Sequence, residues 1–285
     1  MHRTSSAGAD VAGAVAAKGN RIFAANRAVG RVAFTVKQVG GKTRRAHVHE
    51  AGSLRVRCPG APAEELEAVL INTAGGVAGG DRFALDVTAG EGTRLVLTTA
   101  AAEKIYRAID QPARIEVKLD VAAGAALAWL PQETILFDRA RLARSIEVSL
   151  AADAHIILAE AIVFGRTGMG EVVEEGALFD RWRVRRGGRL IYAETVRLEG
   201  AIAARLAAPA VAKGAVAVAT VLIVPGDEAT VAAVRALAFE GEVGASAWNG
   251  LASVRLCAAD SATLRRDLVH VMTALRGHLP RLWTN

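Results

Sequence analysis

INTAGGVAGGDRFALDVTAGEGTRLVLTTAAAEKIYR, from Ile71 to Arg107, is the stretch whose reading decides the fold. Its glycines at 75, 76, 79 and 80 are followed at once by Asp81. Glycine allows positive φ and close backbone approach, so the cluster is either a phosphate cradle or a tight corner between strands. A P-loop requires GxxxxGK[ST], and no lysine follows Gly80. Gly41-Lys42-Thr43 has the tail of that motif, but Val36 stands where its first glycine belongs. A dinucleotide fingerprint requires the glycines to open a helix, whereas the residues from Arg82 alternate as a strand. The cluster therefore reads as a pair of strand corners.

Working outward, the dominant period from about Gly30 to Val224 is two, with glycine-containing breaks. Arg31 to Val39, His47 to Arg57, Leu66 to Asn72, Arg82 to Thr88, Thr93 to Thr99, Arg114 to Val121 and Ala125 to Phe137 read as strands. Ser145 to Leu150, Ala154 to Phe164, Leu178 to Arg185 and Arg189 to Leu198 continue the series, with a Gly187-Gly188 hairpin turn. So many strands without intervening helical patterns imply a mainly β body and not a βαβ sheet. The C-terminal quarter changes character. Residues 227–237 and 261–278 read as helices, the second capped by Asp260 or Ser261 and stopped by Gly277 and Pro280. The expected organisation is a mobile tail over residues 1–29 and one β-rich domain over 30–285.

Hydrophobic residues at 52% and charged residues at 22% mark a folded globular chain. No apolar run approaches the roughly 20 residues of a membrane helix, and Asp10 interrupts any signal-peptide core. The reading is a cytoplasmic protein without a membrane partner. Cys58 and Cys257 are too few for a disulfide framework or a zinc ribbon. The net charge of +6 comes mostly from scattered arginines, which argues against a nucleic-acid arm and suits an acidic protein partner. His47 and His49 share a strand face but have no evident third ligand, and no GxSxG elbow is present.

The carboxylates separate by strand face. Glu116 and Glu147 alternate with apolar neighbours and point to water. Glu133 is assigned to the face of Trp129, Ile135 and Phe137, Glu160 to that of Ile156, Leu158, Ile162 and Phe164, and Glu194 to that of Tyr192 and Val196. A bare charge on such a face is costly. Either each glutamate pairs with an arginine or a backbone donor, or several line an internal polar path with Thr98, Thr99 and Asp138 as neighbours. Carboxylates spaced along water would pass a divalent cation on without trapping it.

Asn72-Thr73-Ala74-Gly75-Gly76, Gly79-Gly80-Asp81, Thr98-Thr99, Lys104-Ile105-Tyr106-Arg107 and Trp129 to Phe137 resemble, in order, the urease accessory protein UreD (UreH) family. Gly165-Arg166, Gly170-Glu171, the Arg181 to Arg189 hairpin and Pro280-Arg281-Leu282-Trp283 extend the resemblance over most of the chain after residue 30. Ala78 and Ala100-Ala101-Ala102-Glu103 depart from the family's usual residues. The resemblance implies an elongated body of β-helix-like layers with two helices near its end. It also implies a non-catalytic chaperone that docks apo-urease and recruits a helical accessory protein and, through it, a nickel-carrying GTPase. GTP would belong to that partner, and Ni²⁺ would pass only transiently, with no tightly bound cofactor. In this view Gly75, Gly76, Gly79, Gly80, Asp81, Tyr106 and Arg107 are structural. A pure adaptor and a carboxylate-based hydrolase using Glu133 and Glu160 are the alternatives.

Overall fold

Successive strands of the central chain alternate between two sheets, so the backbone coils. The computed structural model describes residues 27–61 and 63–284. In the second sheet β4 (Glu65–Asn72), β6 (Arg94–Thr99), β9 (Ala126–Leu130) and β12 (His155–Phe164) lie parallel. In the other β5 (Arg82–Ala89), β8 (Ala113–Val121), β11 (Arg141–Leu150) and β13 (Glu175–Arg186) do the same. Two short strands, β7 (Glu103–Ile105) and β10 (Thr134–Leu136), form a third side that joins the end of β12. Each turn of the chain thus adds one parallel strand to each sheet, which is the β-helix-like layering.

Antiparallel hairpins finish both ends. At one end β1 (Val29–Val39) pairs with β5 and with β2 (Lys42–Gly52), while β3 (Leu54–Arg57) pairs with β4. At the other, β14 (Arg189–Ala201) pairs with β13 across the expected Gly187-Gly188 turn. There β15 (Ala217–Val224), β16 (Glu242–Trp248) and β17 (Leu251–Ala258) extend the second sheet. The first sheet therefore ends in β14 and the second in β16. Of the predicted tail, residues 1–26 lie outside the described residues, and Val29 already belongs to β1.

The glycine cluster is the corner that carries the chain from β4 to β5. Asp81, which is buried, holds it by accepting the main-chain N–H of Ala28 at 2.8 Å and of Ala78 at 2.7 Å. A Cβ at Gly79 would lie 2.5 Å from the Cβ of Ala108, and one at Gly76 would lie 2.5 Å from the Tyr106 ring. Close approach of the next coil is therefore what these positions require.

Three helices follow the coils: α1 (Ile202–Ala207), α2 (Glu228–Arg235) and α3 (Ser261–Arg276). The latter two match the expected pair, and Asp227 and Asp260 cap them through the N–H groups of Thr230 and Thr263. They cover the outer face of the second sheet, where Val231, Val234, Leu264 and Leu268 pack on Val96, Ala161, Val221 and Val254. The main core lies between the two sheets.

Several expected boundaries differ. The expected strand from Ala125 to Phe137 divides at Pro131, which has no N–H to give and turns the chain onto the third side. That from His47 to Arg57 divides at Ser53. The C-terminal strands β15 to β17 and the helix α1 were not anticipated, because Ala- and Val-rich sequence there carries little polar alternation.

Candidate functional site

Among the described residues, the core between the sheets is apolar except for one fully buried cluster of ionisable side chains. Period-two alternation places Leu142, Arg144, Ile146 and Val148 of β11 inward, and likewise Leu178, Asp180, Trp182 and Val184 of β13. Glu160 of β12 faces them from the opposite sheet. The side chains of Arg144, Glu160 and Asp180 are 4%, 4% and 5% exposed. Arg144 Nε and Nη2 donate to the two Asp180 oxygens at 3.0 and 2.6 Å, a bidentate fork. Its Nη1 donates to Glu160 Oε2 and, at 3.4 Å, to Thr134 Oγ1. Two indoles complete the set: Trp129 Nε1 donates to Glu160 Oε1 at 2.7 Å and Trp182 Nε1 to Asp180 Oδ2 at 3.2 Å.

One guanidinium thus faces two carboxyl groups. Burial pushes the Glu160 carboxyl upward, against the pull of Arg144. Burial also works against the Arg144 charge, but the facing Asp180 and Glu160 outweigh it and hold the guanidinium above the ordinary arginine range. Arg144 therefore stays charged.

Two cavities meet at this cluster. The larger, of about 530 Å³, extends toward β14 and β16 and reaches the exposed Val211 and Glu242. The smaller, of about 80 Å³, lies toward β5 and the third side and is lined by Thr99, Glu103, Gln132 and Thr134. Arg144 and Glu160 line both, and no other described residue does.

Each cavity carries a further carboxylate. On the larger one, Glu194 Oε1 lies 2.6 Å from Arg255 Nη1, an ion pair that links the two sheets. Tyr192 donates to Glu194 Oε2 and accepts from Arg255 Nη2 at 3.2 Å, and burial together with the Glu194 contact pushes its hydroxyl upward. On the smaller one, Asn72 Nδ2 donates to both Glu103 oxygens, at 3.1 and 3.2 Å. Burial nevertheless pushes the half-buried Glu103 carboxyl up to about 7.

Of the residues singled out from sequence, Glu160, Glu194 and Thr99 line these cavities. Glu133, Asp138 and Thr98 do not. Glu133 is a correction: it sits in the link after Pro131 and pairs with Arg265 of α3 at 3.1 Å. Strand alternation does not pass through that link, so the face assigned to it fails. Asp138 pairs with Arg139 on the surface side and accepts the Glu175 N–H. Thr98 is buried with its hydroxyl unpartnered, on the face that Val96, two residues earlier in the same strand, turns to the helices. Sequence reasoning missed Arg144, Asp180 and Glu103, although alternation in β11 and β13 already put the first two inward. Tyr106 donates to the Gly75 carbonyl at 3.0 Å and Phe137 stands edge-on to it at 5.1 Å, so this tyrosine serves the glycine corner. The β2 residues His47 and His49 are exposed. Among the described residues no three His, Cys, Asp or Glu side chains gather as a metal cluster.

Residues 28–284 match the family described as UreD urease accessory protein. The chain belongs to the UreD family. The urease accessory protein UreD of Rhodopseudomonas palustris strain BisB18 is 62% identical over 265 residues, covering 92% of this chain and 96% of that protein. That of strain BisA53 is 59% identical over 266 residues, covering 93% of each. The protein of the same name from Bradyrhizobium diazoefficiens is 56% identical, covering 93% of this chain and 96% of its own. Membership in the UreD family gives the chain a role in urease maturation, as an accessory protein and not as urease itself. No helix of the described residues is long and apolar enough to cross a membrane.

Proposed function

We propose that this chain is a scaffold for nickel insertion. It docks apo-urease, recruits a helical accessory protein and its nickel-carrying GTPase, and lets Ni²⁺ pass along its interior. The observation that carries the reading is the meeting of two cavities at Arg144 and Glu160, inside a body otherwise filled by apolar side chains. Glu194 at one side and Glu103 at the other give a cargo cation oxygen contacts before and after that point. Hard or borderline dications take carboxylate oxygens, and the lack of a three-ligand cluster among the described residues suits transit over storage. GTP hydrolysis belongs to the partner, and the working compartment is the cytoplasm.

Glu160→Gln and Glu194→Gln should each lower nickel incorporation into urease while co-purification with apo-urease stays intact. Normal incorporation by both variants would instead favour a pure adaptor. A hydrolase using Glu133 and Glu160 as acid and base is disfavoured, because Glu133 pairs with α3 and lines neither cavity that Glu160 lines.

A further inference from the structure

We propose that Arg144 is the gate of the interior passage: its guanidinium plugs the junction of the two cavities and has to leave it for a dication to cross. The inference rests on the passage reading above and adds a residue and a charge rule to it.

The geometry is that of a plug. Among the described residues Arg144 is one of two shared by both linings, and its head spans the junction from Asp180 on one sheet to Glu160 on the other. Nε, Nη1 and Nη2 are all engaged, so the guanidinium has one seated position and not a range of loose ones.

The charge rule follows from counting. The carboxyl groups of Glu160 and Asp180, when both are deprotonated, match the charge of one dication alone. With the guanidinium kept beside them, one positive charge is in excess, inside an apolar body where such an excess is costly. Arg144 and a dication are thus alternative counter-ions of the same two carboxylates. The larger cavity has room for the displaced head, and Glu194 lies on its wall. The Arg255 side chain now paired with Glu194 is 51% exposed, so it can turn to solvent as Arg144 arrives. Return of Arg144 to Asp180 then expels the cation, which keeps retention weak. A neutral residue in its place removes the competitor and leaves the carboxylates free to hold the metal.

The test uses the purified full-length chain, Ni²⁺ alone as titrant, and the urease activation assay as second readout. Arg144→Gln should bind Ni²⁺ about tenfold more tightly than the unaltered chain, since a buried charge pair loses its cation. It should also deliver less nickel to urease. Arg144→Lys, which keeps the charge but not the fork, should fall between. A merely structural arginine would move activation without tightening nickel binding. If Arg144→Gln does not fold, the doubly substituted Arg144→Gln, Asp180→Asn chain leaves one carboxylate uncompensated, as the native cluster does. It should bind nickel no tighter than the unaltered chain yet still deliver less, and Arg144→Lys then carries the affinity test. A folded Arg144→Gln or Arg144→Lys chain with unchanged nickel affinity overturns the gate. Val196→Trp fills the larger cavity one strand beyond Asp180 without altering Arg144 itself, and separates the two ideas. If it leaves delivery unchanged, the passage itself falls, and the gate with it. If it blocks delivery while the Arg144 variants bind nickel no tighter, only the gate falls.

Discussion

The indole N–H of Trp283 donates to the main-chain carbonyl of Leu130 at 2.9 Å, although 153 residues separate the two. The Arg265 guanidinium covers the same indole, 4.5 Å from its centre, and also donates to Glu133 and to the Trp283 carbonyl. Gln132 donates to the carbonyl of Leu282 at 2.8 Å. The Trp129 to Phe137 segment and the terminal Pro280 to Trp283 segment, two separate signatures in the sequence, are therefore one structural lock.

Trp283→Ala should cost about 3–5 kcal/mol of stability, the range for emptying a buried aromatic site. Urea unfolding measures it. Glu133→Gln should leave nickel incorporation near normal, because its partner is Arg265 and it lines neither cavity. A fall in incorporation as large as that of Glu160→Gln would contradict the placement.

Glu103 predicts a pH dependence of defined sign. Burial raises its folded value to about 7 from an ordinary 4.5, so between these values the folded chain holds a proton that the unfolded chain releases. Stability from this group is present at and below pH 4.5 and is lost as pH rises through about 7. Glu103→Gln should flatten that decline when thermal midpoints are compared from pH 4.5 to 8. An unaltered pH profile in the variant would refute the assignment.

Asp81→Ala removes the acceptor of two main-chain N–H groups, those of Ala28 and Ala78. Each buried donor left unpaired costs about 1–3 kcal/mol, so a loss of about 2–6 kcal/mol is expected. Amide exchange should quicken first at Ala28 and Ala78. Gly79→Ala should destabilise as well, by driving a methyl group into Ala108 and the Gln111 carbonyl.

Thr98→Val should leave stability unchanged or raise it, since the Thr98 hydroxyl is buried without a partner. It should also leave nickel incorporation unaltered. A lowered melting point would reveal a hydrogen bond that the geometry does not contain.

Much of this architecture is legible in the chain, and its limits have physical causes. Alternation in β12 places Glu160 inward because Ile156, Leu158 and Phe164 around it must be buried. The same rule exposes Arg144 between Leu142 and Ile146, but a lone arginine in a strand is easily taken for a solvent-facing residue. Glu133 misleads because alternation ends at Pro131, and no local pattern reports the turn onto a third side. The parallel pairing of β8 with β11 was beyond local reading: Leu142 meets Ala113 only because a whole coil intervenes. Glu103 escaped notice among Ala100, Ala101 and Ala102, where nothing in the sequence signals a cavity.

The coiled path of the backbone also acts as a ruler. Strands stack about 4.8 Å apart along the coil axis, and Arg144, Asp180 and Val196 occupy paired positions on three consecutive strands. On the facing sheet Glu160, Thr220 and Arg255 do the same. The spacing of interior groups is thus fixed by main-chain hydrogen bonding, whatever side chains occupy the rungs. Substitution changes the chemistry of a rung and leaves its pitch alone, so the protein can retune what it handles without rebuilding its frame.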